Sequence, residues 1–234
     1  MPPTPDRRVR QYADKLLGPA RIGLVAPYLP YMRQDRRFRP GEAVTSTQFA
    51  KAVSSLVDWL VTVDPHLHRR AALSDIYTVP VAVASAAPLI AEWIRTHVSA
   101  PALVGPDAES EQWVATVTGG AEAPYFVLGK TRRGDREVEI SIPDTAPWAG
   151  RTPVIVDDII SSGRTMIEAV RQLRHRSLPP ASCVGIHALF ADTAYEDLLS
   201  AGVANVVTCN TVPHASNMID ITGALVDAVR ETSS

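Results

Sequence analysis

Lysine is scarce in this chain. Lys15, Lys51 and Lys130 stand against twenty arginines, so each lysine is worth locating. Cysteine is scarcer still: Cys183 and Cys209 lie far apart, form no Cys-x-x-Cys pair and sit in apolar, strand-like runs. That usage argues against a disulfide scaffold or a thiolate metal site and for buried thiols in a reducing compartment. No excess of charge of either sign exists, the net value being −2, so nothing in the balance points to nucleic acid or an anionic membrane. No signal peptide and no apolar run long enough to span a bilayer appears, and a cytoplasmic location is expected. No repeat of solenoid period occurs. What remains is a chain of 234 residues, suited to one large or two small domains with ample core.

The stretch that organises the rest is Pro153 to Met166. The β-branched run Val154-Ile155-Val156 reads as a buried parallel strand. Asp157 and Asp158 follow at its carboxyl end, then the small-residue turn Ile159-Ile160-Ser161-Ser162-Gly163-Arg164-Thr165. From Met166 to Arg176, Ile167, Val170 and Leu173 recur on one helical face. Strand, loop and helix in that order put the loop at the helix amino end, where unpaired N–H groups and the positive dipole end favour an anion. Ser161, Ser162 and Thr165 add hydroxyl donors, and Gly163 permits close backbone approach. Two carboxylates repel a phosphate, so Asp157 and Asp158 suit sugar hydroxyls or a divalent ion. Together these read as a site for a phosphorylated sugar.

Elsewhere strands alternate with helices, which predicts parallel sheets. Residues 1–10 are expected to be disordered at their start, with a short helix over 9–17 closed by Gly18-Pro19. The strand Ile22 to Ala26 leads into a loop of aromatics, prolines and arginines, Tyr28 to Pro40. Loops at strand carboxyl ends are where α/β proteins keep ligands; there Arg33 suits a polyphosphate and Gln34 an adenine or ribose edge. A helix from Thr45 and a strand over 61–63 follow, the latter ending in Asp64-Pro65-His66-Leu67-His68-Arg69. His66, beside an aspartate at a strand end, suits a metal or phosphate contact. Ile76 to Val83 is read as an extended strand or connector, Ser85 to His97 as a helix, and Pro101 to Gly105 as a strand with Asp107 just past it. Glu109 to Val117 is read as a helix stopped by Gly119-Gly120. Lys130 and Arg132 fall in a basic hairpin arm between strands 125–128 and 138–142. Strands over 182–189 and 203–209, a helix over 194–199 and a closing helix over 221–229 complete the reading.

Set in order, these pieces resemble the ribose-phosphate diphosphokinase family. The resemblance runs from about Arg21 to the carboxyl end. It rests on Ala26 to Arg36, Asp64-Pro65-His66, Gly105-Pro106-Asp107, Lys130-Thr131-Arg132, Val156 to Thr165, and Asn210 to His214. It implies two phosphoribosyltransferase-like α/β domains with parallel sheets flanked by helices, an ATP side over 1–80 and a ribose 5-phosphate side over 81–234. It further implies transfer of the β,γ-diphosphoryl group of ATP to the anomeric hydroxyl of ribose 5-phosphate. Carried over to this chain, Arg33 and Gln34 contact ATP, His66 and Asp107 hold or position Mg²⁺, and Lys130 with Arg132 is catalytic. Asp157 and Asp158 bind the ribose, Ser161, Ser162, Gly163, Arg164 and Thr165 cradle the 5-phosphate, and Arg132 also reaches the sugar phosphate. A homo-oligomer is implied, with neither nucleic acid nor membrane as partner.

The family also carries an amino-terminal segment ahead of the Arg21 strand, with an acidic loop reaching a neighbouring subunit's ATP site. Nothing over 1–10 matches it, so the first domain is expected to be truncated, with an open sheet edge. Pro65 replaces the usual leucine, and Ser161 and Arg164 replace an acid and a small residue of the commonest sugar-phosphate loop. Two other readings stand beside the enzyme: a non-catalytic paralogue that binds nucleotide or sugar phosphate, and a phosphoribosyltransferase that consumes the diphosphate.

Overall fold

The computed structural model describes residues 21–67, 69–107, 110–133, 137–141 and 148–233. The disordered start and helix expected over 1–17, and His68, lie outside the described residues. In chain order the strands are β1 (Gly23–Ala26), β2 (Trp59–Val63), β3 (Val81–Ala84), β4 (Pro101–Gly105), β5 (Tyr125–Val127), β6 (Gly129–Arg133), β7 (Glu137–Ser141), β8 (Thr152–Ile160), β9 (Ser182–Ala188), β10 (Asn205–Cys209) and β11 (Asn217–Ile219). The helices are α1 (Thr45–Ser54), α2 (Ala87–His97), α3 (Glu111–Ala121), α4 (Arg164–His175), α5 (Ala194–Ser200) and α6 (Thr222–Ser233), with a 3₁₀ turn at Leu73–Asp75. The chain divides into two compact units, Met1–Ser85 with Thr222–Ser234, and Ala86–Ile221. The expected division was 1–80 and 81–234. The difference lies in β3 and in the closing helix α6, which packs on β2 and β3 of the first unit.

The first unit is built on a parallel sheet of order β1-β2-β3 among the described residues. Side chains alternate across a strand, and Leu24, Leu60 and Val81, paired in register, share one face. That face meets Ala50 and Val53 of α1 and Leu73, Ile76 and Tyr77 beyond β2 in one apolar cluster. Gly23 is a glycine because the Trp59 ring lies against it and leaves no room for a side chain.

The second unit carries a six-stranded parallel sheet of order β11-β10-β9-β8-β4-β5. Its middle strand β9 is buried along its whole length. Buried parallel strands of this kind give the continuous apolar runs seen in the sequence. Val104, Ile155, Ile160, Met166, Val170, Leu173, Cys183 and Leu198 form the core between this sheet and α4 and α5. Both cysteines are buried, as expected, and burial pushes the Cys183 thiol up to about 12. β6 and β7 form a separate antiparallel hairpin, as expected for the basic arm.

Several boundaries differ from the sequence reading, each for a tertiary reason. β8 does not end at Val156: Asp157, Ile159 and Ile160 pair with Gly185, His187 and Ala188 of β9. The neighbouring strand extends it past the acidic pair. α3 is not stopped by Gly119-Gly120 but runs through them to Ala121, and the left-handed residue that ends it is Glu122 at φ 52°. A Cβ on Gly120 would lie 2.9 Å from Cβ of Ala91, so this glycine serves the close approach of α2 and α3. The segment expected to be extended from Ile76 follows directly on the 3₁₀ turn and becomes a strand only at Val81, where β3 begins.

Candidate active site

All strands of the second sheet are parallel, so their carboxyl ends open on one edge of the unit. Ligands gather at that edge in open α/β sheets. Asp107 lies two residues past β4, in a turn closed by Ser110, whose hydroxyl donates to the Asp107 carbonyl at 2.6 Å. Gly105 makes room for that hydroxyl, since a Cβ there would fall 2.8 Å from Ser110 Oγ.

On β8, Asp157 and Asp158 are half-buried, and the Asp158 N–H donates to Asp157 Oδ1 at 3.0 Å. The Asp157 carboxyl is held well above the usual carboxylate range. Removal from water is the largest cause, followed by the charges of Asp158 and Asp107. The residue keeps some surface, yet its carboxyl is the poorly hydrated part. Three carboxylates thus act on one another at this edge. Gly185, opposite Asp157 in register, has no space for a side chain, because Ile160 Cγ1 would lie 2.6 Å from its Cβ.

Beyond β8 the chain turns through Ser161 and Ser162 to Gly163, which caps α4 with φ 66° and ψ −5°. No side chain caps this helix end. Its first-turn amides lie at the positive end of the helix dipole, where an anion is favoured. The Ser161 carbonyl accepts from the Ala191 N–H at 3.2 Å, which ties the loop to the segment after β9. Ser162 and Arg164 are exposed, Ser161 and Thr165 half-buried and Gly163 buried. Ser161 to Thr165 thus form one continuous loop at the strand edge that carries the acidic pair.

Sequence reasoning missed what stands behind this edge. His187 at the end of β9 is 1% exposed, and its Nδ1 lies 2.9 Å from Thr211 Oγ1. That hydroxyl donates its one proton to the Ile186 carbonyl at 2.9 Å, so His187 Nδ1 is the donor of the pair. A histidine inside an apolar run, with a threonine in a motif 24 residues on, was the available signal. Asn210 and His214, quoted for the resemblance, also hold structure: Asn210 Oδ1 accepts from the Ile221 N–H, and His214 Nδ1 from the Ser216 N–H.

In the first unit, Arg33 and Gln34 are exposed in the loop after β1. The Gln34 N–H donates to the Tyr31 carbonyl, and the Gln34 carbonyl accepts from Ser46 at the start of α1. His66, half-buried, lies in the loop after β2, the parallel neighbour of β1, so both loops leave the same sheet edge. Lys130 and Arg132 occupy β6, in register with Ile140 and Val138. Their side chains, and residues 134–136 of the turn, lie outside the described residues. Among those described, no cluster of three or more His, Cys, Asp or Glu able to hold a metal occurs. Mg²⁺ needs no such cage, taking one or two carboxylates and completing its shell with phosphate oxygens and water. Asp107, Asp157 and Asp158 are hard oxygen donors of the kind such an ion takes.

A phosphoribosyl transferase domain model matches residues 73–221, most of the chain. The chain is 34% identical to a ribose-phosphate pyrophosphokinase of Methanopyrus kandleri, over 92% of its own length and 74% of that protein. This chain belongs to the ribose-phosphate pyrophosphokinase family. A second pyrophosphokinase, from Sulfurisphaera tokodaii, is 32% identical over 86% of this chain and 69% of its own. A phosphoribosylpyrophosphate synthetase from Mycobacterium smegmatis has the same fold, with a TM-score of 0.80 over 95% of this chain and 76% of that one, at 23% identity. Among the described residues no helix is long and apolar enough to cross a membrane.

Proposed function

We propose that this chain is a ribose-phosphate diphosphokinase, making phosphoribosyl diphosphate and AMP from ATP and ribose 5-phosphate. One observation carries the reading over its neighbours. The pyrophosphokinase match covers 92% of the chain, so it runs well beyond the phosphoribosyl transferase domain at 73–221. It takes in the arginine-rich loop of the first unit, which phosphoribosyltransferases lack.

In this reading the second unit holds ribose 5-phosphate. The amides of the α4 amino end and the hydroxyls of Ser161, Ser162 and Thr165 take the 5-phosphate, with Gly163 keeping the cradle open and Arg164 at its rim. Asp157 and Asp158 accept from the ribose hydroxyls. Asp157, poorly hydrated in the folded chain, takes up sugar hydroxyls in place of the water it has lost. In the first unit, Arg33 binds the polyphosphate and Gln34 the nucleoside. His66 and Asp107 are the residues to hold Mg²⁺, which when bound neutralises phosphate charge as it builds.

The reaction joins the anomeric oxygen to the β-phosphorus and breaks the bond from that phosphorus to the oxygen bridging it to the α-phosphorus. The proton of the anomeric hydroxyl is released to solvent, and AMP leaves. Such a transfer needs positioning and charge neutralisation more than covalent help. Lys130 and Arg132, on the hairpin, supply the cationic donors for the reacting phosphates. A homo-oligomer in the cytoplasm completes the proposal.

The test is AMP release from ATP and Mg²⁺ with this chain, with and without ribose 5-phosphate. AMP formed only in the presence of the sugar phosphate is the expected result. A folded protein that binds ribose 5-phosphate without forming AMP is a binding paralogue, and the enzyme reading fails. Consumption of phosphoribosyl diphosphate with a nucleobase marks a phosphoribosyltransferase instead.

A further inference from the structure

Two consecutive arginines beyond β2 bond the arginine-rich loop and the helix that follows it. Arg69 donates from one guanidinium nitrogen to both carboxylate oxygens of Asp35, at 3.0 and 3.1 Å. Asp35 is almost wholly buried, its side chain 4% exposed, whereas Arg69 is 46% exposed. A buried carboxylate with such a partner is anchored, because separating the pair strands a desolvated charge. The next residue, Arg70, donates from Nη2 to Ser46 Oγ at 3.1 Å and Thr47 Oγ1 at 3.0 Å, at the first turn of α1. Ser46, itself fully buried, returns a bond from its N–H to the Gln34 carbonyl. The backbone of Arg33-Gln34-Asp35 is therefore fastened on one side by Ser46 and on the other by Arg69, three residues after His66.

We propose that Asp35 and Arg69 are positioning residues for the nucleotide: a latch that fixes the Arg33-Gln34 loop relative to the His66 loop, with Arg70 as its second fastening. The inference rests on the first unit being the ATP side. Arg33 and Gln34 are exposed and have flexible side chains, so their placement depends on the backbone beneath them. Without the latch, Asp35 carries an unpaired charge, and the Arg33-Gln34 backbone keeps the Ser46 bond and the buried Met32 beside it but loses its tie to the His66 loop. Binding then costs the ordering of that loop each time.

The test compares Asp35→Asn, Arg69→Gln, the double variant and Arg69→Lys with the wild type. ATP binding with Mg²⁺ is followed by equilibrium dialysis, ribose 5-phosphate binding in parallel and folding by circular dichroism. A latch predicts that either single change weakens ATP binding about tenfold. The double variant loses no more than the worse single one, since both remove one interaction, and Arg69→Lys recovers part of the loss. Ribose 5-phosphate binding stays unchanged. Unaltered ATP affinity in folded Arg69→Gln overturns the latch. So does a loss at Arg69 far larger than at Asp35, which marks direct contact with the nucleotide. If Asp35→Asn does not fold, the exposed Arg69 variants decide alone, through the partial recovery by lysine. A wild type that binds ribose 5-phosphate but no ATP overturns the nucleotide assignment itself, a separate result.

Discussion

Gly163 backs onto Leu198: a Cβ built on the glycine would lie 3.4 Å from both Cγ and Cδ1 of the leucine. Leu198 is fully buried in the core between the sheet and the outer helices, so the loop of Ser161 to Thr165 is seated directly on that core. The contact is ordinary in distance, and the difficulty for a side chain at 163 is the left-handed backbone. Gly163→Ala should therefore destabilise the protein by about 1–2 kcal/mol and weaken ribose 5-phosphate binding. Urea denaturation and a binding titration check the two effects, and unchanged stability would show the loop able to adopt another backbone.

The acidic pair is predicted to favour ligand binding over stability. Asp157 titrates higher in the folded chain than in the unfolded one, so the folded state binds the extra proton. Stability from this group is full below the unfolded value and is lost as pH rises through the folded one. Asp157→Asn should flatten that loss, unfolding at higher denaturant than the wild type at pH above the ordinary carboxylate range, while binding ribose 5-phosphate more weakly. Parallel denaturation curves across pH and a sugar-phosphate titration test both halves.

Adjacent glycines of α3 should respond with opposite results. Nothing lies within 4 Å of a Cβ on Gly119, so Gly119→Ala should gain up to about 1 kcal/mol of helix propensity. Gly120→Ala should lose that gain, and more, to the contact with Ala91. Thermal unfolding of the two single variants distinguishes them.

Lys130→Ala should lower turnover by about 10²–10³, the usual cost of removing one donor to developing charge. Affinity for ribose 5-phosphate should not change, because the loss falls on the transition state. Steady-state kinetics with a separate binding measurement make the check, and an equally active variant removes Lys130 from the mechanism.

The sequence made the second unit legible because its signals are local. An apolar run, two acids, a small-residue turn and an amphipathic stretch are contiguous over 153–176, and they form β8, the loop and α4 in that order. What it hid depends on distant neighbours. The extension of β8 past Asp157 is dictated by β9, the glycines of α3 by Ala91, and the hydroxyl partner of His187 by Thr211. In the first unit, the arginine-rich loop read as a ligand loop from composition. Its attachment did not, since Asp35 meets Arg69 across 34 residues and both look like solvated charges in a polar run. A cap, a turn or a periodic face can be seen in a window of residues; a long-range ion pair cannot.

The return of α6 to the first sheet makes that unit discontinuous, with Ala86–Ile221 inserted between its pieces. During synthesis the inserted unit is complete before Thr222–Ser233 has emerged, whereas the unit that begins first must wait for its last helix. The inserted unit can therefore settle while the first unit still exposes β2 and β3. Cutting the chain back from the carboxyl end would for the same reason injure the amino-terminal unit first.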